Sequence, residues 1–202
     1  MVSEIQRCGW VNLNEPLYVA YHDQEWGVPL RGNDNALFER IVLEGAQAGL
    51  SWITVLRKRE HYRRVFDNFA PEKVALYDET KINALMGDSG IIRNRAKILS
   101  AINNAQEFMK IQQEFGSFSS YLWSFVGDQP IQNQWHSLRD IPPATEISKQ
   151  LSKDLKQRGF KFVGSTICYA MMQACGLVND HTVDCFRHEE VKILQHAFKN
   201  SG

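Results

Sequence analysis

The stretch RGFKFVGSTICYA, residues Arg158–Ala170, joins two predicted helices and decides how the chain is organised. The first helix is expected to end at Gly159, a tight hairpin follows, and the second helix begins at Ser165 or Thr166. A small residue at Gly164 would let a phosphate approach the free backbone N–H groups that open the second helix. The pattern is typical of a helix-hairpin-helix element that holds a DNA backbone; an ordinary core connection between two helices is the alternative.

The chain has no net positive charge, because Lys+Arg and Asp+Glu number 23 each. A nucleic-acid partner would therefore have to be held by small basic patches or by backbone amides. The residues expected to contact DNA at the hairpin are Lys161, Gly164, Ser165 and Thr166, beside a basic rim of Lys153, Lys156 and Arg158. A second basic run, Arg57–Arg59 with Arg63 and Arg64, is either a DNA contact or a solvated helix face.

The rest of the chain is also predicted to be helical, so the predicted fold class is all-α. Apolar residues recur at helical spacing in Asn35–Ala48, Arg93–Phe115, Phe118–Val126, Ser148–Arg158 and Phe162–Cys175. Asp34 is expected to cap the first of these helices, Pro71 opens a short helix, and Thr80 caps another. The nearly all-apolar Phe162–Cys175 is expected to be the central helix, whereas prolines make 127–143 a loop.

Length and composition indicate one substantial domain. The 202 residues are 44% hydrophobic and 23% charged, which is ordinary for a globular protein. We expect one helical domain over residues 1–186, with two lobes sharing a cleft, and a tail over 187–202 to which no role is assigned. The sequence has neither an apolar run of about 18 residues nor a signal peptide, so a cytoplasmic location is expected. Cys168 and Cys175 are expected to be free, buried thiols.

Two Cys/His pairs lie near the two ends of the chain. His181 and Cys185 have the i, i+4 spacing that places both side chains on one face of a helical turn, and Cys8 and His22 form the second pair. Together the four residues could complete a tetrahedral Cys2His2 zinc site that fastens the N-terminal segment to the C-terminal one. Because short His and Cys spacings recur by chance, four unrelated residues remain the alternative.

A single acid, Glu44, lies in the otherwise apolar run LEGAQAGLSWITVL of residues 43–56. A buried carboxylate is costly unless it meets a partner or a ligand. Several rings are near it in sequence: Tyr18, Tyr21, Trp26 and Trp52. An acid with several rings is what a pocket for a flat, cationic base needs, since aromatic faces and a carboxylate both attract a cation. The alternative is a structural acid paired with an arginine, among core aromatics.

The chain resembles the DNA-3-methyladenine glycosylase I family, the constitutive alkylation-repair glycosylases of bacteria. The resemblance runs from about Arg7 to Cys185 and is carried by the strings RCGW, YHDQEWGVP, LEGAQAGLSWITVLRKRE, GIIRNRAKI, LWSFV, RGFKFVGSTICYA and MQACGLVNDH. It implies a helix-hairpin-helix glycosylase fold and the removal of 3-methyladenine from double-stranded DNA. It also implies that the protein is located in the bacterial cytosol and is a monomer. The tail from Phe186 to Gly202 departs from the family pattern.

The resemblance assigns roles to particular residues. Cys8, His22, His181 and Cys185 match the ligands of one structural zinc ion, and Glu44 matches the acid that hydrogen-bonds the excised base and serves catalysis. Tyr21 and Trp52 match rings that stack on the base, while Tyr18 and Trp26 fall at further pocket positions. The lyases of the superfamily carry a lysine just after the hairpin glycine. Ser165 and Thr166 follow it here, which implies a monofunctional enzyme that leaves an abasic site.

Leu50 and Asp180 have two possible roles each. Gly49 and Leu50 interrupt the helical pattern beside the pocket segment, so Leu50 is either a wedge that enters the base stack or a core residue. Asp180 lies where the superfamily often carries a catalytic aspartate, but its neighbour His181 favours a hydrogen bond to a metal-binding histidine.

Two other classes of protein compete with a glycosylase. A non-catalytic, zinc-containing DNA-binding module would need no pocket acid. A hydrolase of RNA or nucleotides would need a Gly-rich phosphate loop or clustered acidic metal ligands, and the sequence contains neither.

Overall fold

The computed structural model describes residues 5–199 and consists almost entirely of helices. In chain order the elements are α1 (Pro16–Gln24), α2 (Asp34–Gln47), α3 (Trp52–Leu56), α4 (Arg59–Val65), a 3-10 turn (Asp67–Phe69), α5 (Pro71–Val74), α6 (Glu79–Gly87), α7 (Arg95–Phe115), α8 (Phe118–Ser124), β1 (Ile131–Gln132), α9 (Glu146–Gln157), α10 (Ser165–Ala174), β2 (Val178–Asn179) and α11 (Arg187–Lys199). A mostly helical fold is therefore confirmed. None of the helices in the described part of the chain is long and apolar enough to cross a membrane.

The helix starts differ from the predicted ones by one or two residues. Asn33 caps α2 by accepting a hydrogen bond from the backbone N–H of Ala36, so Asp34 is not the cap. The Asp34 carboxylate instead accepts the backbone N–H groups that open α8, at 2.8 and 3.0 Å. Asp78 rather than Thr80 caps α6. The sequence pointed to the wrong cap at both helices, because several neighbouring residues have a side-chain oxygen that can accept an N–H of the first turn. The backbone geometry decides which of these residues is the cap.

The core forms around α10, which packs against α9 and α2, while α7 packs against α2, α5, α6 and α8. Leu43 on α2, Phe108 on α7 and Met172 on α10 are fully buried. The central helix is confirmed, although it begins at Ser165 and not at Phe162, because residues 160–164 form the hairpin before it.

The hairpin between α9 and α10 is fixed by polar contacts from both sides. Gly159 has a φ of +95°, which reverses the chain after α9. The Asn104 side chain on α7 binds both the N–H and the C=O of Lys161, at 2.8 and 2.9 Å. Ser152 donates to the carbonyl of Val163 at 2.6 Å. Gly164 then opens α10 without a side-chain cap, and no atom lies within 4 Å of where its Cβ would be, so this backbone is open to an incoming group.

Three elements were not expected from the sequence: β1, β2 and α11. β1 and β2 form a parallel pair, with Ile131 opposite Val178, and each is too short to show a periodic pattern. The helix α11 lies over the turn between α1 and α2. Its buried Gln195 side chain donates to the carbonyls of Gly27 and Gly176, at 3.0 and 3.1 Å. The segment expected to be a tail therefore contributes a helix with buried contacts.

Candidate active site and metal centre

A cavity of about 340 Å³ lies between α10, the N-terminal segment with α1–α3, and the loop before α9. The sequence-predicted pocket residues Glu44, Tyr18, Tyr21, Trp26 and Trp52 all line it. The remaining lining residues are Trp10, Gln47, Leu138, Ile141, Pro142, Pro143, Thr166, Tyr169, Ala170 and Gln173. The structure thus brings together five side chains that the sequence distributes over residues 18–52.

Glu44 is the buried acid of this cavity. It lies on α2 and is only 4% exposed. Burial raises the pKa of its carboxyl group to about 7, and the positive charge of Arg40, one turn earlier on the helix, opposes that rise. Within residues 5–199, no protein group donates a hydrogen bond to this carboxylate. A buried acid that lacks a protein donor is poised to accept one from a ligand.

Aromatic rings surround the same space. The ring centroids of Tyr21 and Trp52 lie 5.4 Å apart, and those of Trp10 and Trp26 lie 5.1 Å apart. The Arg40 guanidinium lies 5.4 Å from the centroid of the Tyr21 ring. The indole N–H groups of Trp10 and Trp52 are buried and have no acceptor in the described part of the chain. The cavity therefore presents flat apolar faces, which suits a planar heterocycle.

Sequence reasoning did not predict ten of the fifteen residues that line the cavity. Thr166, Tyr169 and Gln173 share one face of α10, and their spacing could have indicated this wall. Thr166 was expected at the DNA backbone, and it lines the cavity from the first turn of the helix. No signal in the sequence indicated the loop from Leu138 to Pro143, because its position depends on contacts with distant residues.

The four Cys and His residues at the chain ends form one buried cluster. The ligand atoms of Cys8, His22, His181 and Cys185 all lie within 4.8 Å of one another. The Cys185 Sγ lies 3.4 Å from His22 Nε2 and 3.5 Å from His181 Nδ1, and Cys8 Sγ lies 3.5 Å from His181 Nδ1. His181 and Cys185 lie on a turn before α11 rather than on a helix, so the predicted helical geometry was wrong. The predicted proximity is nevertheless present.

This cluster fits a tetrahedral metal ion. Zinc bonds of about 2.3 Å to sulfur and 2.0–2.1 Å to nitrogen place the two ligand atoms ~3.5 Å apart in a tetrahedron, close to the observed separations. The second nitrogen of each ring also has a partner, as metal-binding histidines require. His22 Nδ1 lies 2.7 Å from Asp23 Oδ1, and His181 Nε2 lies 3.0 Å from the Trp26 carbonyl oxygen.

Asp180 does not support the metal cluster as expected. The ring nitrogens of His181 face the cysteines and the Trp26 carbonyl, and the Asp180 oxygens accept hydrogen bonds from four other side chains. The groups beside the cluster are Asp23 and the Trp26 backbone. Adjacency in sequence misled the expectation, because successive side chains in extended backbone point to opposite sides.

The turn after α2 lies beside the cavity. Gly49 has a φ of +80°, and Leu50 is 41% exposed, which excludes a fully buried core role for its side chain. Lys97 on α7 donates to the carbonyls of Ala46 and Ala48, at 2.8 and 2.7 Å, and so holds the end of α2 that leads into this turn.

Most of the predicted basic patches are engaged in ion pairs. Arg57 binds Glu15, and Arg59 binds Glu25. Arg158 binds Asp154 and Glu114. The lysines of the hairpin rim, Lys153, Lys156 and Lys161, are exposed. Because the arginines have acidic partners, these lysines and the open backbone at Gly164 are the groups best placed for a phosphate.

Comparisons with known proteins show which family the chain belongs to. A family model described as methyladenine glycosylase matches residues 10–188. The DNA-3-methyladenine glycosylase 1 of Escherichia coli (strain K12) is 55% identical over 181 residues, which cover 90% of this chain and 96% of the relative. A crystal structure of 3-methyladenine DNA glycosylase I matches with a TM-score of 0.87 and 54% identity, covering 91% of this chain and 100% of the other. A variant of such an enzyme in complex with 3-methyladenine matches with a TM-score of 0.85 and 40% identity, covering 89% and 96%.

The fold and the matches are those of a base-excision glycosylase, a hydrolase of N-glycosidic bonds. The chain belongs to the methyladenine glycosylase family. Its activity is accordingly that of a DNA-3-methyladenine glycosylase.

The raised pKa of Glu44 makes a prediction about stability. Between the ordinary value of 4.5 and about 7, the folded state holds a proton that the unfolded state has lost. The free energy of unfolding therefore falls by about 1.4 kcal/mol per pH unit across this window. Glu44→Gln lacks the group, so its stability relative to the wild type should rise through the window and then level off. Urea unfolding of both proteins from about pH 4 to about pH 8 measures this difference. A difference that does not change with pH would contradict the assignment.

Proposed function

We propose that this enzyme rotates a 3-methyladenine nucleotide out of double-stranded DNA into the cavity described above and hydrolyses its glycosidic bond, leaving an intact abasic site. The observation that carries the proposal is the buried Glu44 carboxylate, which has no protein donor and lies among aromatic rings. The solved relative in complex with 3-methyladenine supports the choice of base.

The charge of the damaged base explains how such a cavity would act. 3-Methyladenine in DNA is cationic, so its glycosidic bond is already weak and the base departs neutral. No strong general acid is needed; the enzyme has to hold the cation and admit water to the sugar carbon. Glu44 accepts a hydrogen bond from the exocyclic amine, and Tyr21 and Trp52 stack on the base, with Tyr18 and Trp26 at the margin. Glu44 is thus both the base-binding and the catalytic residue.

The same charge explains discrimination against normal adenine. Burial holds the pKa of Glu44 near 7, so ionising it within the cavity is costly unless a positive charge arrives. A cationic base provides that charge, whereas neutral adenine would have to desolvate the carboxylate with less in return.

DNA would be held at two places on either side of the cavity. The open backbone at Gly164, Ser165 and Thr166, with Lys161 nearby, holds a phosphate in the manner of a helix-hairpin-helix element. The exposed Leu50, on the turn that Gly49 makes possible, fills the gap left in the base stack. Because serine and threonine follow the hairpin glycine, no lysine is available there for a lyase reaction.

The Cys/His cluster is proposed to hold one structural zinc ion. Four protein ligands leave no open position for water, so the ion would stabilise the fold and take no part in hydrolysis. It would supply a fixed link between the N-terminal segment and the turn before α11. The cytoplasmic location, the monomeric state and the single two-lobed domain over residues 1–186 stay predictions.

The proposed activity makes a first prediction. Incubation with methylated duplex DNA should release 3-methyladenine and leave the strand uncut until mild alkali is added. Glu44→Gln should bind the free base at least about tenfold more weakly, since the amide oxygen accepts the hydrogen bond without the negative charge of the carboxylate, and should bind undamaged DNA as the wild type does. Glu39→Gln is the matched control, because Glu39 is a buried acid on the same helix that binds Arg63 and does not line the cavity. Equal affinity of wild type and Glu44→Gln for the base would show that another residue recognises it.

The zinc site makes a second prediction. Freshly purified protein should contain one zinc ion per chain, and Cys8→Ser should lose it, lower the melting temperature and make the N-terminal segment sensitive to protease. Cys168→Ser is the control, because Cys168 is buried elsewhere and donates to the Val163 carbonyl. Metal analysis and thermal unfolding measure both effects. Wild-type protein that is purified without zinc, and whose melting temperature does not rise when zinc is added, would refute the site.

The wedge role makes a third prediction. Leu50→Ala should slow excision from duplex DNA roughly tenfold, an increase of about 1.4 kcal/mol in the barrier, with stability changed by only about 0.5 kcal/mol. Excision from single-stranded methylated DNA should be unchanged. Leu194→Ala on α11 is the control, since Leu194 is 39% exposed, close to the value for Leu50. A loss of stability with normal duplex excision would instead indicate a packing role.

A further inference from the structure

Asp180 is a buried carboxylate that binds four side chains. It follows β2 and is 1% exposed. Its Oδ1 accepts hydrogen bonds from Asn133 Nδ2 at 2.7 Å and from Trp135 Nε1 at 2.8 Å. Its Oδ2 accepts from the Tyr169 hydroxyl at 2.5 Å and from Gln173 Nε2 at 2.7 Å. With two donors on each oxygen, the acceptor positions of the carboxylate are filled.

The two oxygens bind residues that lead to two different parts of the cavity wall. Tyr169 and Gln173, bound to Oδ2, line the cavity from α10. Asn133 and Trp135, bound to Oδ1, do not line it, but they begin the loop whose later residues, from Leu138 to Pro143, form a second part of the wall. One carboxylate therefore connects the helical wall to the start of the loop wall.

We propose that Asp180 is a positioning residue that sets the separation of these two walls and thereby the affinity of the cavity for the flipped base. The inference rests on the proposed function, because it takes this cavity to be the base site. Asp180 does not touch the base: its oxygens are occupied by protein donors, and it acts through Tyr169, Gln173 and the loop. An amide cannot replace the carboxylate, since it keeps one acceptor oxygen and presents an NH₂ group to the donors of the other wall.

The test compares variants on either side of this link. Asp180→Asn should bind free 3-methyladenine about 10- to 100-fold more weakly than the wild type, the range for losing hydrogen bonds to a buried charge. Trp135→Phe should also weaken binding, although Trp135 does not line the cavity. The double variant should bind no more weakly than Asp180→Asn, because both changes release the same wall. Zinc content should stay at the wild-type level, since Asp180 does not contact the ring of His181.

Asp154→Asn is the matched control. Asp154 accepts the Tyr121 hydroxyl at 2.6 Å and Arg158 Nε at 2.7 Å, and it does not line the cavity. Its variant should lose stability but, where folded, should bind the base normally.

Three outcomes decide between the claims. If the wild type itself does not bind 3-methyladenine, the proposed function fails. If the wild type binds and Asp180→Asn binds equally well, the positioning role is wrong while the function stands. If Asp180→Asn does not fold, Trp135→Phe decides. The inference is overturned if Trp135→Phe binds the base as tightly as the wild type. It is also overturned if the losses in base affinity caused by Trp135→Phe and Tyr169→Phe add in full in the double variant.

Discussion

The buried Cys/His cluster is the point at which the two ends of the chain meet, and it lies beside the cavity. Two of its members, Cys8 and His22, belong to the segment that also carries Trp10, Tyr18, Tyr21 and Trp26, four rings of the cavity. The other two, His181 and Cys185, lie just beyond Asp180, and the His181 ring lies 4.6 Å from that of Trp26. The N-terminal segment has other links as well: Glu15 binds Arg57, Glu25 binds Arg40 and Arg59, and the backbone N–H of Gly27 donates to the Gln173 carbonyl on α10. Together with the cluster, these contacts place the N-terminal rings against α10.

Several polar groups around the cavity lack the partners that a stable core would give them. Among residues 5–199, the 4% exposed Glu44 has no donor, and the buried indole N–H groups of Trp10 and Trp52 have no acceptor. Each such group costs stability when it is buried. Nearby carboxylates show the contrast, because Asp180 is filled with donors and Glu25 binds both Arg40 and Arg59. Among the buried carboxylates of residues 5–199, Asp180 and Glu39 thus have protein donors, whereas Glu44 has none.

Comparison of particular elements shows how far sequence reasoning reached. The spacing of apolar residues located α2, α7, α9 and α10 to within a few residues, because burial of one helix face repeats at a local period. The caps were less certain: Asn33 and Asp34 are both good capping residues, and the backbone selected Asn33. The short strands and α11 were missed, since two-residue strands carry no period and α11 lies beyond the residues that resemble the family. Asp180 was expected to hydrogen-bond the ring of His181, which follows it in sequence, but its carboxylate binds four other side chains.

The sequence by itself determined the helical class, the identity of the clustered Cys and His residues, and the acid and rings of one cavity wall. Those features depend on residue type and local spacing, which the chain displays directly. Only the tertiary structure decided the second part of the wall, the four partners of Asp180 and the open carboxylate of Glu44. Their hydrogen bonds join residues far apart in the chain, such as Trp135 and Asp180. Which distant donor meets which acceptor is set by how the helices pack, because packing fixes the few positions at which a buried polar group can be satisfied.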